Sequence, residues 1–528
     1  MNTFKKKSLY LAVAGASALG AGTASAVTLN ADGLGEVLLY PYYTVRETSA
    51  GNAYNSLLSV VNSTASAKAV KVRFLEGRAS REVLDFNLFL SPSDVWTGGV
   101  VPTANGARVV TADNSCVAPS DLFTRSASDP GNADFKNQQY TTAPYSLAGV
   151  SLDRTREGYI EVLEMAIATT AQVQGYIKHS SAGIPGNCQA LDQMDPQSGG
   201  AAAVTFPGPV TVAPATTFLN APTGGLSGRG VVINPNTGAN YSYDAVALDA
   251  WTGDVEYTES GSTAPNLGSG NNAGTFMSAQ TANIFVNGGV ISQDFGTAID
   301  AVSATMMRDT VINEFVLDAG TASQTDWVVT FPTKREYVTA AVSPPFSNAF
   351  GATGACDPFS PNVFNREEGS PSGPTLTILP SPRPSVIAET NSLCWEANVI
   401  PFQAASLLAS RNTNVFSSTV QNYISTATST SGTRTSVAAG TVNGPNGWMF
   451  LSFNTRATQR LVPAAARLNG VAIAGLNGVS AVDATLNIGR VYGLPVVGFM
   501  AHNFNRTGVV SQYGNTSVHK YTRLIPTT

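Results

Sequence analysis

The sequence predicts a mainly β protein, built of immunoglobulin-like or jelly-roll-type sandwich modules with long loops and one helix. Three observations predict it. Short apolar and alternating runs recur at regular spacing between residues 35 and 101, with period two. Clusters of Gly, Pro, Ser and Asn separate them. Of 528 residues, 43% are hydrophobic and 12% charged, so large cores are available while Ser, Thr, Asn and Gln keep the surface wet. That hydrophobic share excludes disorder over most of the chain. The sparse charge, formally −5, argues against a nucleic-acid partner, which needs clustered Lys and Arg.

Residues 1–26 read as a signal peptide. Lys5, Lys6 and Lys7 form a positive start, Leu9 to Leu19 an apolar stretch, and Ala24-Ser25-Ala26 an A-x-A cleavage site. The apolar stretch is shorter than the ~20 residues that span a bilayer. No cysteine follows the cleavage site, which argues against a lipid anchor there. The expected route is Sec export to the cell surface or the extracellular space, with the periplasm as the alternative.

Residues 27–180 are expected to form an N-terminal sandwich. The run Gly35–Tyr43 is apolar and aromatic, with Pro41 at an edge or bulge. Tyr40, Tyr42 and Tyr43 alternate imperfectly, so at least one is expected at an exposed edge or interface. Ser56–Asn62, Ala69–Glu76, Val83–Leu90 and a strand from Val95 follow, and Gly158–Ala168 completes the sheet. Residues 181–227 read as a linker or long surface loop. Residues 228–528 are expected to form a second β-rich domain. It opens with a hairpin over Gly228–Trp251, turning at Asn234-Pro235-Asn236-Thr237-Gly238. The one helix is expected near 297–316, from Ile299, Val302, Met306, Ile312 and Phe315, capped by Thr297 or Asp300. Asp326–Pro332 is a strand. Residues 341–394 form a Pro-rich, disulfide-held excursion without regular structure. Residues 447–455, 468–476, 486–500 and 513–524 read as further strands.

Four cysteines in an exported chain favour two disulfides. Three pairings are possible; the local ones, Cys116–Cys188 and Cys356–Cys394, are expected. Zinc is disfavoured, because no C-x-x-C spacing exists and only His179 lies near a cysteine.

The chemistry-bearing residues are few. His179, His502 and His519 read as structural, and no G-x-S-x-G elbow accompanies them. Glu161 and Glu164 sit at an odd spacing on a strand, hence on opposite faces, and cannot act on one bond; Glu164 is expected to be partly buried. Glu367 and Glu368 read as solvated. Gly225–Gly230 leads into a strand, so it is a turn rather than a phosphate cradle. No P-loop, H-E-x-x-H or EF-hand loop is present. Catalytic, cofactor and metal sites are therefore expected to be absent, with loop Ca²⁺ unsupported by any motif. Trp96, Trp251, Trp327, Trp395 and Trp448 suit core packing first and sugar stacking second.

Four strings carry a resemblance: GLGEVLLYPYYTV (33–45), VKVRFLEGRASREVLDFNLFLSPSDVW (70–96), TDWVVTFPTKREYV (325–338) and YGNTSVHKYTR (513–523). Through them the chain resembles uncharacterised exported or cell-surface proteins of Gram-negative bacteria. The resemblance implies a location and no mechanism. The leading expectation is an exported, non-enzymatic structural or adhesion-type protein. Its expected partners are cell-envelope or matrix components, or further copies of itself through β-edges. A secreted carbohydrate-active hydrolase and an outer-membrane β-barrel are the alternatives.

Overall fold

The apolar run at 37–44 organises the molecule. The computed structural model describes residues 26–123, 130–192, 219–272, 280–365, 391–413, 446–505 and 512–526, except 287, 340, 404, 454–456, 469–470 and 473–488. The expected signal peptide thus lies, but for Ala26, outside the described residues. The first ten strands are β1 (Val27–Leu29), β2 (Val37–Thr44), β3 (Asn55–Asn62), β4 (Lys68–Glu76), β5 (Glu82–Leu90), β6 (Val95–Pro102), β7 (Ala107–Thr111), β8 (Cys116–Ala118), β9 (Gly131–Asp134) and β10 (Glu157–Ala168). Two short helices follow, α1 (Ala171–Ile177) and α2 (Cys188–Asp192). Then come β11 (Leu219–Asn220), β12 (Leu226–Ile233), β13 (Asn240–Asp244), β14 (Val246–Asp249), β15 (Gln280–Val286) and β16 (Gly289–Phe295).

The fold is mainly β. A large open sheet runs β16-β15-β1-β14-β2-β10-β4-β5-β8, and a second runs β13-β12-β3-β6-β7-β9. They share a core: Tyr40, Val70, Val72 and Ile160 of the first meet Leu58, Val60, Trp96 and Val109 of the second. Val37 and Leu39 belong to another core. Strand β2 is therefore buried on both faces, which is why its sequence is continuously apolar rather than alternating.

Tyr40, Tyr42 and Tyr43 correct the expectation of an exposed edge. All three are fully buried, and β2 lies between β14 and β10. Burial is tolerated because each hydroxyl has an acceptor: Ser59 O, Glu157 Oε2 and Thr155 O respectively. Pro41 sits where the register between β2 and β10 shifts, at a bulge. The glycines of β12 make room for rings beneath them. A methyl at Gly228 would lie 1.9 Å from the Tyr40 hydroxyl, and one at Gly230 would lie 2.2 Å from the Tyr243 ring.

The expected divide at 181–227 does not separate two β units. Strand β12 pairs with β3, β14 with β2, and β15 with β1. The strands before residue 180 leave edges that later strands complete, so neither half closes its sheets alone. Helix α2 stands where loop was expected, and residues 193–218 lie outside the described residues.

The helix expected at 297–316 is half strand. Helix α3 (Ala298–Met306) is capped by Thr297, whose hydroxyl accepts from Asp300 N–H, and it ends at Met306. The chain continues as β17 (Met307–Arg308) and β18 (Thr310–Val316). In β18, Val311, Asn313 and Phe315 are buried while Glu314 is exposed, so period two wins over the weak helical spacing. Beyond it lie β19 (Gln324–Thr330), β20 (Asp357–Pro358), β21 (Ser360–Asn365), β22 (Ser392–Leu393), β23 (Ala397–Pro401) and β24 (Asn446–Ser452). The last strands are β25 (Arg460–Leu461), β26 (Ala465–Leu468), β27 (Val471–Ala472), β28 (Val491–Tyr492), β29 (Leu494–Pro495), β30 (Val497–Asn505), β31 (Gln512–Val518) and β32 (Lys520–Thr522). They add β26 and β27 to the large sheet and form two four-stranded sheets, β21-β24-β18-β32 and β23-β19-β30-β31. The Pro-rich excursion is thus not irregular throughout; β21, with Pro361, is an edge strand, where a missing N–H is tolerated. Residues 366–390 of it lie outside the described residues.

The cysteines pair as Cys116–Cys188 and Cys356–Cys394, 72 and 38 residues apart. The first ties α2 to β8. Replacing Cys116 and Cys188 together by Ser is expected to cost about 2–5 kcal/mol, because the unfolded chain regains a long loop. A denaturant midpoint unchanged from that of the oxidised protein contradicts this.

Candidate functional site

Glu161 and Glu164 are turned inward, each matched with a cation. Arg73 on β4 bonds Glu161 on β10 (2.6 Å) and Glu82 on β5 (2.9 Å). Lys68 pairs with Glu164, both wholly buried, and Glu164 also accepts the N–H groups of Thr223 and Gly224. Burial pushes both Glu161 and Glu164 above the usual range, against the pull of Arg73 and Lys68. The two glutamates are thus held in separate ion pairs. Glu367 and Glu368 lie outside the described residues.

The histidines are held by their neighbours. His519 donates from Nε2 to Val328 O (2.9 Å) if Nδ1 accepts from Asn313 (3.1 Å), the assignment that satisfies both nitrogens. Burial lowers it to about 4, so it is neutral at physiological pH. His179 Nδ1 lies 3.0 Å from Ser91 Oγ, and burial lowers His502. Among the described residues, no three His, Cys, Asp or Glu side chains converge to hold a metal.

Concave surface lies elsewhere, on the outer face of the six-stranded sheet. A groove of about 410 Å³ is floored by Leu57, Ser59, Thr97, Val110 and Val231. It meets a second, of about 520 Å³, at Ser59 and Arg229, where Asn30, Asp32, Ser227 and Asp244 make the wall more polar. The resulting trough is crossed by the exposed Arg229–Asp244 pair (3.3 Å). Leu57 is 45% exposed. The sequence reading did not single these residues out, although a signal existed. Leu57-Leu58 and Val231-Val232 are adjacent apolar pairs within strands, and one member of each must face outward.

Among the tryptophans, Trp96, Trp251 and Trp327 are core residues. Trp448 is 42% exposed and stacks on Phe364 (4.7 Å), its cross-strand neighbour on β21. Both of its neighbouring sheet positions on β18 and β21 are filled, so its ring is part of a surface stripe.

The buried carboxylates set a pH dependence. Burial pushes Glu396 up to about 8, Glu36 and Asp85 to about 7, and Asp326 to about 6. Each holds in the folded state a proton that the unfolded chain releases at about pH 4, so stability is lost as pH rises from about 4 through these folded values. His519 acts oppositely: the unfolded imidazole protonates near 6.5, the folded one only near 4, so stability is lost as pH falls between these values. The four raised carboxylates outweigh the one lowered histidine where their windows overlap, so thermal stability is expected to fall from pH 5 to pH 8; Glu396→Gln is expected to flatten this fall. Melting temperatures that rise from pH 5 to 8 contradict this.

Neither family models, curated proteins nor solved structures give a match to this chain.

Proposed function

We propose that this is an exported, non-enzymatic protein of the cell surface or extracellular space, which works by binding through the outer face of its six-stranded sheet. The observation that carries the reading is the division of labour among side chains. The carboxylates Glu161 and Glu164 are buried against cations, whereas the open trough is lined by Leu57, Ser59, Thr97, Val110 and Val231 with one Arg–Asp pair. Such a lining offers contact area and hydroxyl hydrogen bonds, and its two carboxylates, Asp32 and Asp244, are exposed to solvent. The disulfides support an oxidising compartment. Cell-envelope or matrix components are the partner class this location brings into reach.

Assembly through the aromatic strand is not part of the proposal, because β2 has a strand on each side. A carbohydrate-active hydrolase gains no support from Glu161 and Glu164.

Fractionation of a Gram-negative host expressing the full chain tests the location. Surface or extracellular recovery of a disulfide-bonded form beginning at Val27 is expected; recovery only from the cytoplasm with reduced cysteines overturns it. Leu57→Asp with Val231→Asp is expected to abolish binding to isolated envelope while leaving the melting temperature within a few degrees, since both positions face solvent.

A further inference from the structure

Where β1, β14, β18, β30 and β32 meet, a chamber of about 110 Å³ opens beside the trough. Its walls are apolar, formed by Leu29, Val246, Val311 and Val497, and Leu29, Val246 and Val518 also line the trough, which gives it an entrance. One wall is charged: Arg308, only 4% exposed.

Arg308 differs from Arg46, Arg73 and Arg154, each of which is buried against a carboxylate. Its Nη1 donates to two main-chain carbonyls, Thr305 O (3.1 Å) and Met307 O (2.9 Å). Among the described residues, Nε and Nη2 make no hydrogen bond. The guanidinium carbon lies 3.7 Å from the centre of the Tyr521 ring, and that of Arg523 lies 5.3 Å from the same ring. Arg523 donates to Phe285 O and to Thr305 O, so both guanidinium groups use one carbonyl. No carboxylate forms an ion pair with either arginine among the described residues. Burying a cation without a counter-charge is costly, and carbonyls and a π face compensate only in part.

We propose that this chamber binds a small monocarboxylic acid, a short fatty acid or an aromatic acid, whose carboxylate meets the free Nε and Nη2 of Arg308 and whose apolar body lies against Leu29, Val246, Val311 and Val497. The fork formed by Nε and Nη2 matches the two oxygens of a carboxylate. The volume is on the scale of cavities that admit benzene-sized molecules. Apolar walls oppose inorganic phosphate or sulfate, whose remaining oxygens would lose their water without gaining donors. His519 at the chamber is neutral and uses its nitrogens on Val328 and Asn313, so Arg308 is the group that selects charge. The site stands whether or not the proposed location holds.

Calorimetric titration of the purified, oxidised protein with benzoate and with hexanoate tests it, alongside benzyl alcohol, hexanol and inorganic phosphate. Saturable binding of at least one acid is expected, with the neutral analogues and phosphate at least tenfold weaker. Arg308→Met is expected to remove that preference for the acid. Should this variant fail to fold, Val518→Trp, at an exposed position of the mouth, is expected to block binding while preserving the melting temperature. Absence of saturable binding by both acids overturns the proposal. So does equal binding of the alcohols, which marks a merely apolar cavity, or unchanged affinity in either folded variant.

Discussion

Glu157→Ala is expected to destabilise the protein by roughly 3–5 kcal/mol, the scale for removing one partner of a buried ion pair. Glu157 begins β10 and is almost wholly buried. Its carboxylate accepts Arg46 Nε (3.0 Å) and the Tyr42 hydroxyl (2.9 Å), and from the distant segment at 410–411 it accepts the Ser410 hydroxyl and Arg411 N–H (3.1 Å). Removing it leaves Arg46 with Asp153 alone, at 2.7 Å, in a buried setting. It also strips an acceptor from the buried hydroxyls of Tyr42 and Ser410, each at a cost of about 1–3 kcal/mol where no replacement is found. Glu157→Gln keeps an acceptor but loses the charge, so it is expected to fall between Ala and wild type. Urea denaturation measures both; an Ala variant within 1 kcal/mol of wild type, judged against that roughly 3–5 kcal/mol scale, contradicts the assignment of Glu157 as a hub.

The hub shows what the sequence made legible and what it did not. The strands of residues 35–101 were readable because their patterns are local: Val70, Val72 and Phe74 alternate with Lys71 and Arg73 over a span that contains the whole signal. Alternation reports that the two faces differ. It does not report that the charged face is also buried, since that depends on Glu161 and Glu82 arriving from other strands. The same limit applies to β2. An apolar run with three tyrosines has one sequence whether it ends a sheet or crosses its middle, and only the later arrival of β14 decides. The cysteine pairs were legible because both bonds are between sequence neighbours among the four. The trough and the chamber were not, because each is assembled from strands more than a hundred residues apart; Arg308 reads in sequence as one cation beside Asp309. The helix at 297–316 failed for a local reason: apolar residues spaced irregularly enough to satisfy two periods were assigned to one.

Replacing Lys68 by Met is expected to cost roughly as much as Glu157→Ala, about 3–5 kcal/mol, and its consequences separate charge from shape. Met keeps most of the volume while leaving the Glu164 carboxylate buried without its cation, held by the N–H groups of Thr223 and Gly224. Burial already raises Glu164, and Lys68 is the largest influence lowering it. Burial raises Glu36, and the charge of Glu164 raises it further. Without Lys68, Glu164 rises further, so its proton is bound in the folded state across a wider span of pH and the deficit is relieved on acidification. Adding Glu164→Gln removes the stranded charge while retaining an oxygen for one of the two N–H groups, and is expected to restore more than half of the loss. A double-mutant cycle at pH 8 and pH 5 measures this. A coupling energy well above 1 kcal/mol at pH 8, smaller at pH 5, is expected; one that is negligible or the same at both would mean that Lys68 contributes packing alone. The position of the pair explains why so much rests on it. Thr223 and Gly224 lie immediately before β12, so Glu164 anchors the returning chain at the point where it begins to complete the six-stranded sheet. A loss here therefore loosens the same sheet whose outer face carries the trough, and the two readouts, stability and envelope binding, are expected to fall together in Lys68→Met and to separate in Leu57→Asp/Val231→Asp.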